Sequence, residues 1–177
     1  DNFAVKLVTA WHDYFLERPG TGRRVNSGGG KIVFSDTNTH YRGESNYRTS
    51  GVVDALRIPK DAFFAHQVMW DGWITPEQAR THLIGHWNYS AGVRKNVYAV
   101  STADSCQLIL NGNPIGWGTR SAQYLFTFPN VDFVYGTLIC RGYRNGAVVT
   151  SDTLTTAGTP HHIVLTPIVN PLGFKAD

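Results

Sequence analysis

At 177 residues, with 42% apolar and 12% aromatic side chains, the chain can build one ordinary core or two small ones, and bulk disorder is excluded. Charged residues are only 16% and the net charge is +3; the basic residues are scattered, the densest cluster being the dipeptide Arg23-Arg24, so the stripe or patch that nucleic-acid binding requires is missing. No apolar run approaches the length of a membrane-spanning helix, and the absence of an opening Met or signal-like segment is what a processed product or a fragment would give.

The first element is predicted to be a helix over residues 2–17. Ala4, Leu7, Val8, Trp11, Tyr14 and Phe15 recur at the spacing of one helical face, Asp1 or Asn2 can cap it, and Arg18-Pro19-Gly20 stops it. A loop ending in Gly28-Gly29-Gly30 follows; with Lys31 it lacks phosphate-loop spacing and precedes a strand rather than a helix. Lys31 to Ser35 reads as a short strand whose Ile32, Val33 and Phe34 are buried. Residues 35–50 are polar and aromatic without a period. A second helix is expected from Pro59 to Trp70, with Pro59 at the first helical position, Asp61 in the first turn, and Phe63, Gln67 and Trp70 on one side.

Beyond Trp73 the pattern becomes short alternating runs separated by turn residues. THLIGHWNY, NVYAVST, CQLILNG, YLFTF, GTLICRGY, AVVTSDTLTT and HHIVLTPI read as strands, and Asn111-Gly112 and Asn145-Gly146 as hairpin turns. About seven strands in about ninety residues predict an immunoglobulin-like β-sandwich. One helix, one buried strand and one helix do not complete a sheet, so the first part of the chain needs backbone partners from elsewhere. Cys106 and Cys140 fall inside strand-like runs; two buried thiols are favoured over a disulfide. His82 and His86 stand four apart on a strand without a glutamate partner, which is no zinc signature, and Asn88-Tyr89-Ser90 is a glycosylation sequon of low specificity.

Two stretches resemble glycoside hydrolase family 2, the family of β-galactosidases and β-glucuronidases. Tyr41-Arg42-Gly43-Glu44, Pro59-Lys60-Asp61 and Trp70 are similar to the end of that family's catalytic (β/α)₈ barrel. His86-Trp87-Asn88-Tyr89, Asn111-Gly112-Asn113-Pro114-Ile115-Gly116 and the later FTFPNV and TAGTP segments are similar to the immunoglobulin-like domain that follows it. The resemblance implies α/β plus all-β architecture: residues 1–78 as the last strand and helices of an incomplete TIM barrel, and 79–177 as the sandwich. It implies the C-terminal part of a retaining exo-β-glycosidase, β-galactosidase-like, acting on terminal β-linked sugars. The two catalytic glutamates of such enzymes stand about 5–5.5 Å apart, and the resemblance puts both before Asp1. Glu17 and Glu44 are not at catalytic positions, so the chain by itself supplies no catalytic residue.

Barrel enzymes place their chemistry at the carboxyl ends of the strands. If Lys31 to Ser35 is the last strand, its mouth carries Asp36, Asn38, His40, Tyr41 and Arg42 as candidate substrate-binding residues, Asp36 and Asn38 foremost. Asp36 stands where relatives commonly carry a tryptophan. Arg42 with Glu44 reads better as an ion pair bracing the loop. Trp87 reads as packing, whereas Trp117 is divided between packing and a sugar platform. No cofactor or metal is implied. The expected partners are a carbohydrate substrate and the upstream remainder of the barrel, with a homo-oligomer open and neither nucleic acid nor membrane expected. A periplasmic or secreted location is preferred to the cytoplasm. The alternative is a non-catalytic carbohydrate-binding or scaffold module.

Overall fold

The computed structural model describes residues 2–16, 33–37, 49–160 and 162–164. In chain order the elements are α1 (Asn2–Leu16), α2 (Asp61–Ile74), β1 (Thr81–Ile84), β2 (Arg94–Ser101), β3 (Ser105–Leu110), β4 (Asn113–Trp117), β5 (Thr119–Ser121), β6 (Leu125–Asp132), β7 (Thr137–Arg144) and β8 (Ala147–Thr155). The strands form two four-stranded antiparallel sheets, ordered β1-β2-β6-β5 and β4-β3-β7-β8.

Both predicted Asn-Gly turns are present. Asn111 and Gly112 take positive φ between β3 and β4, and Asn145 and Gly146 do so between β7 and β8, as a two-residue hairpin on right-twisted strands requires. Between the sheets, Leu83, Trp87, Val97, Ala99, Cys106, Leu108, Phe126, Phe128, Leu138 and Cys140 form one buried cluster. The cysteines are buried there as free thiols. Leu108 pairs with Cys140 and Cys106 with Gly142, so the two cysteines are diagonal neighbours on one inward face rather than directly opposed.

Part of the other face of β1-β2-β6-β5 is also buried. Ile84, Val100, Tyr124 and Leu125 join Ala4, Leu7 and Val8 of α1 and Ala62, Ala65, Val68 and Met69 of α2 in a second buried cluster. This explains why β1 and β2 carry consecutive apolar residues where a one-sided sheet would alternate. Trp11 packs partly buried against this cluster; Tyr14 and Phe15 lie outside the described side chains.

Several expectations are corrected. The helix predicted from Pro59 begins at Asp61, with Lys60 as N-cap and Pro59 bridged to Val53, and it runs on to Ile74. It passes through Gly72 because the Tyr124 ring occupies the space a side chain would need there. Its buried face is Ala62, Ala65, Val68 and Met69, while Trp70, on the side shared with Phe63 and Gln67, is 61% exposed. Among the described residues 33–35 there is no strand, only a parallel bridge from Ser35 to Val53, and Phe34 is exposed in this chain by itself. Ile32 lies outside the described residues. The run HHIVLTPI shows no strand at 162–164, where Ile163 and Val164 face solvent. One strand, β5, had not been anticipated.

Candidate functional site

Of the five candidate site residues, Asp36 is described; Asn38, His40, Tyr41 and Arg42, like Glu17 and Glu44, lie outside the described residues. Asp36 begins the candidate loop and is held by the segment from Gly51 to Lys60. Val52 and Val53 donate backbone N–H bonds to the Phe34 carbonyl at 2.9 and 3.1 Å, and Asp36 N–H donates to the Val53 carbonyl at 3.0 Å. The Ser35 hydroxyl reaches the Asp54 carbonyl at 2.9 Å. Asp54 folds the holding segment: its Oδ1 accepts the N–H groups of Leu56 and Ile58, each at 2.8 Å, while Arg57 takes a left-handed backbone between them. Gly51 is required by close approach, since a Cβ there would strike the backbone of Ser35 and Asp36.

The Asp36 carboxylate is taken up inside the chain. Oδ1 accepts the Gly51 N–H at 2.8 Å, and Lys60 Nζ bonds Oδ1 at 2.9 Å and Oδ2 at 3.0 Å. Lys60 Nζ also donates to the Thr49 carbonyl at 3.1 Å. The Asp36 side chain is only 14% exposed. These bonds place the Asp36 carboxylate as an anchor for the segment that follows it. Asp36→Ala is expected to cost about 1–2 kcal/mol, since it strands one ammonium and one N–H, with the partly exposed Lys60 keeping the figure low. For a chain of this size that is a fall in Tm of roughly 2–8 °C. Thermal unfolding checks it, and an unchanged Tm would show that the brace carries no weight.

One residue further on, Asp61 turns the other way. Its Oδ1 meets His82 Nε2 at 3.0 Å, and its Oδ2 accepts the Gly85 N–H at 3.0 Å. His82 Nδ1 lies 3.3 Å from Asp152 Oδ2 on β8, which also accepts the Leu83 N–H at 2.7 Å. The imidazole, stacked on Phe64 at 4.4 Å, is thus held between two carboxylates. Burial works against a charged His82, but the bonds to Asp152 and Asp61 outweigh it and raise its pKa above the ordinary value. Burial likewise opposes ionisation of Asp61 and Asp152. The His82 bond, together with backbone N–H bonds from Gly85 to Asp61 and from Leu83 and Thr153 to Asp152, prevails and lowers both pKa values. This joint of α2, β1 and β8 had no sequence signal: its members are 21 and 70 residues apart, and His82 had been weighed only against His86 as a zinc pair.

The architecture defines a two-sheet antiparallel sandwich carrying a helical layer on one sheet. A model described as a domain of unknown function, DUF4982, matches residues 92–150. A β-glucuronidase of Formosa agariphila is 34% identical over an alignment taking in 100% of this chain and 17% of that protein. A solved β-glucuronidase from glycoside hydrolase family 2 superposes with a TM-score of 0.73 at 32% identity, over 96% of this chain and 17% of its own. A β-glycosidase from Bacteroides vulgatus gives a TM-score of 0.55 at 26% identity, over 66% of this chain and 14% of its own. The chain belongs to glycoside hydrolase family 2 and corresponds to the C-terminal part of its members. It spans less than a fifth of the length of these relatives. The strongest of these matches are named β-glucuronidases, not the β-galactosidases first suggested by the motifs.

Proposed function

We propose that this chain is the C-terminal segment of a retaining exo-β-glycosidase whose substrates are β-glucuronides. The observation that carries the reading is the match along the whole chain to a β-glucuronidase at 34% identity. In this reading residues 1–78 end the catalytic (β/α)₈ barrel and 79–177 form an immunoglobulin-like domain. The strand orders support the second part: β1-β2-β6-β5 corresponds to an ABED sheet, and β4-β3-β7-β8 to a CFG sheet with one added edge strand. Phe34, Leu56, Ile58 and Trp70, all exposed here, support the first by offering apolar surface for the upstream barrel to cover.

The chemistry requires two glutamates on the upstream portion, one attacking the anomeric carbon and one protonating the leaving oxygen and later activating water. Asn38, His40, Tyr41 and Arg42 contribute to the sugar site, and Asp36 enters it as the anchor of their loop. The complete protein is expected to turn over an aryl β-glucuronide with kcat/KM at least about a hundredfold above that for the matching β-galactoside, because a site built for a carboxylate rejects the analogue lacking it. Residues 1–177 alone are expected to hydrolyse neither. Equal rates, or a preference for the galactoside, would reject the substrate assignment; turnover by the isolated chain would reject the division of labour.

A further inference from the structure

Three connections meet at one end of the sandwich and are tied to one another. Trp87 Nε1, in the β1–β2 connection, donates to the Val134 carbonyl in the β6–β7 connection at 2.9 Å. The Thr156 hydroxyl, just after β8, donates to the Trp87 carbonyl at 2.8 Å, and Ala157 N–H donates to Asn88 Oδ1 at 2.6 Å. Thr156 N–H reaches the Gly136 carbonyl at 2.9 Å, and Phe133 N–H the Val93 carbonyl at 2.8 Å. Even the β3–β4 turn takes part, through Asn111 Nδ2 bonded to the Tyr135 carbonyl at 2.8 Å. Loops cross-braced in this way are set before any ligand arrives, which removes an ordering cost from binding.

Between them lies an open cavity of about 500 Å³, within the range of small-molecule sites. Tyr89 and Tyr135 contribute aromatic walls, and Ser90 and the amide nitrogen of Asn88 contribute polar groups, the Thr156 hydroxyl being taken by the Trp87 carbonyl and the Gly136 N–H. The Tyr89 ring is fixed by stacking on His86 at 4.5 Å, by edge contacts with Trp87 and Phe133, and by a 2.7 Å bond from Lys95 Nζ to its hydroxyl. Tyr135 packs against Phe133 and is otherwise open, at 67% exposure. A pyranose has an apolar C–H face that stacks on an aromatic ring and a rim of hydroxyls that pair with amides and hydroxyls. The lining carries neither a cation nor a carboxylate. We infer that this end of the sandwich binds a neutral pyranose unit, at a site separate from the candidate loop at Asp36 and independent of hydrolysis.

The test is ligand-observed saturation-transfer NMR on the full chain with methyl β-D-glucopyranoside and methyl β-D-galactopyranoside, and with sodium glucuronate as the charged probe. Transfer to the neutral glycosides is expected with Kd on the order of 1 mM, a typical figure for a shallow site. Tyr135→Ala and Ser90→Ala are each expected to weaken it at least about fivefold, or to abolish one binding class where two are resolved. Tm should stay within about 2 °C in Tyr135→Ala, because the ring is mostly exposed. No transfer to either neutral glycoside, binding unchanged in both variants, or binding confined to glucuronate would overturn the proposal. Failure of the glucuronidase reading would leave these outcomes unaffected, since no turnover is measured.

Discussion

Trp87→Ala is expected to destabilise the full chain by about 3–5 kcal/mol, the cost of removing a large aromatic side chain from a packed core. That corresponds to a fall in Tm of roughly 6–20 °C. Trp87 is 1% exposed, packs on Phe133 at 5.2 Å and on Tyr89 at 6.1 Å, and sits in the cluster that joins the two sheets. Its indole N–H also holds the Val134 carbonyl, so two mechanisms add. Trp87→Phe separates them: it keeps most of the packing, frees the carbonyl, and should cost about 1–3 kcal/mol. Thermal or urea unfolding of the three proteins decides the matter. A fall of less than about 2 °C in Trp87→Ala would mean that the core around it is not the one described.

The second large effect concerns pH. His82 has its folded pKa raised, so its contribution is fully present below the ordinary value near 6.5 and is lost as pH rises through the folded value. Asp61 and Asp152 have theirs lowered, so their contribution is present above the ordinary value of 3.8 and is lost as pH falls through the folded values. The joint should therefore be strongest between about pH 4 and 6.5, and Tm should decline on the alkaline side. His82→Ala leaves Asp61 and Asp152 facing each other without the cation, at a cost of about 2–3 kcal/mol at pH 6, since the group is not fully buried. In that variant the alkaline decline should disappear. Tm measured from pH 5.5 to 9 checks it; a wild-type profile with no decline, or the same decline in His82→Ala, would remove His82 from the account.

How far the sequence disclosed this structure depended on whether the governing contact was local. The hairpins at Asn111-Gly112 and Asn145-Gly146 were legible because a positive φ at two successive positions selects those residue types. The turn between β5 and β6 uses positive φ at Ala122 and Gln123, which carry no such signature, and β5 was missed with it. β4, the return strand of the Asn111-Gly112 hairpin, tolerates Pro114 and Gly116 because it lies on an exposed edge. Residues 162–164 of the run HHIVLTPI were read as strand because composition cannot reveal whether a pairing neighbour exists. At the candidate site, the polar loop following an apolar run was visible, but not the chemistry of Asp36. The decisive partner, Lys60, lies 24 residues away, and the Pro-Lys-Asp segment had been read only as a helix start.

The partial burial of the outer face of β1-β2-β6-β5 bears on how this segment can be moved between proteins. Connectivity invites a cut before β1, since among the described residues the strands pair with one another. The packing does not respect that cut: Ile84, Val100, Tyr124 and Leu125 would be stripped of α1 and α2 and turned towards water. A transplant of residues 79–177 alone would carry its inner core intact and an adhesive outer wall, so solubility would depend on whatever its new host laid against that wall. Keeping α1 and α2 with the sandwich would leave that wall covered.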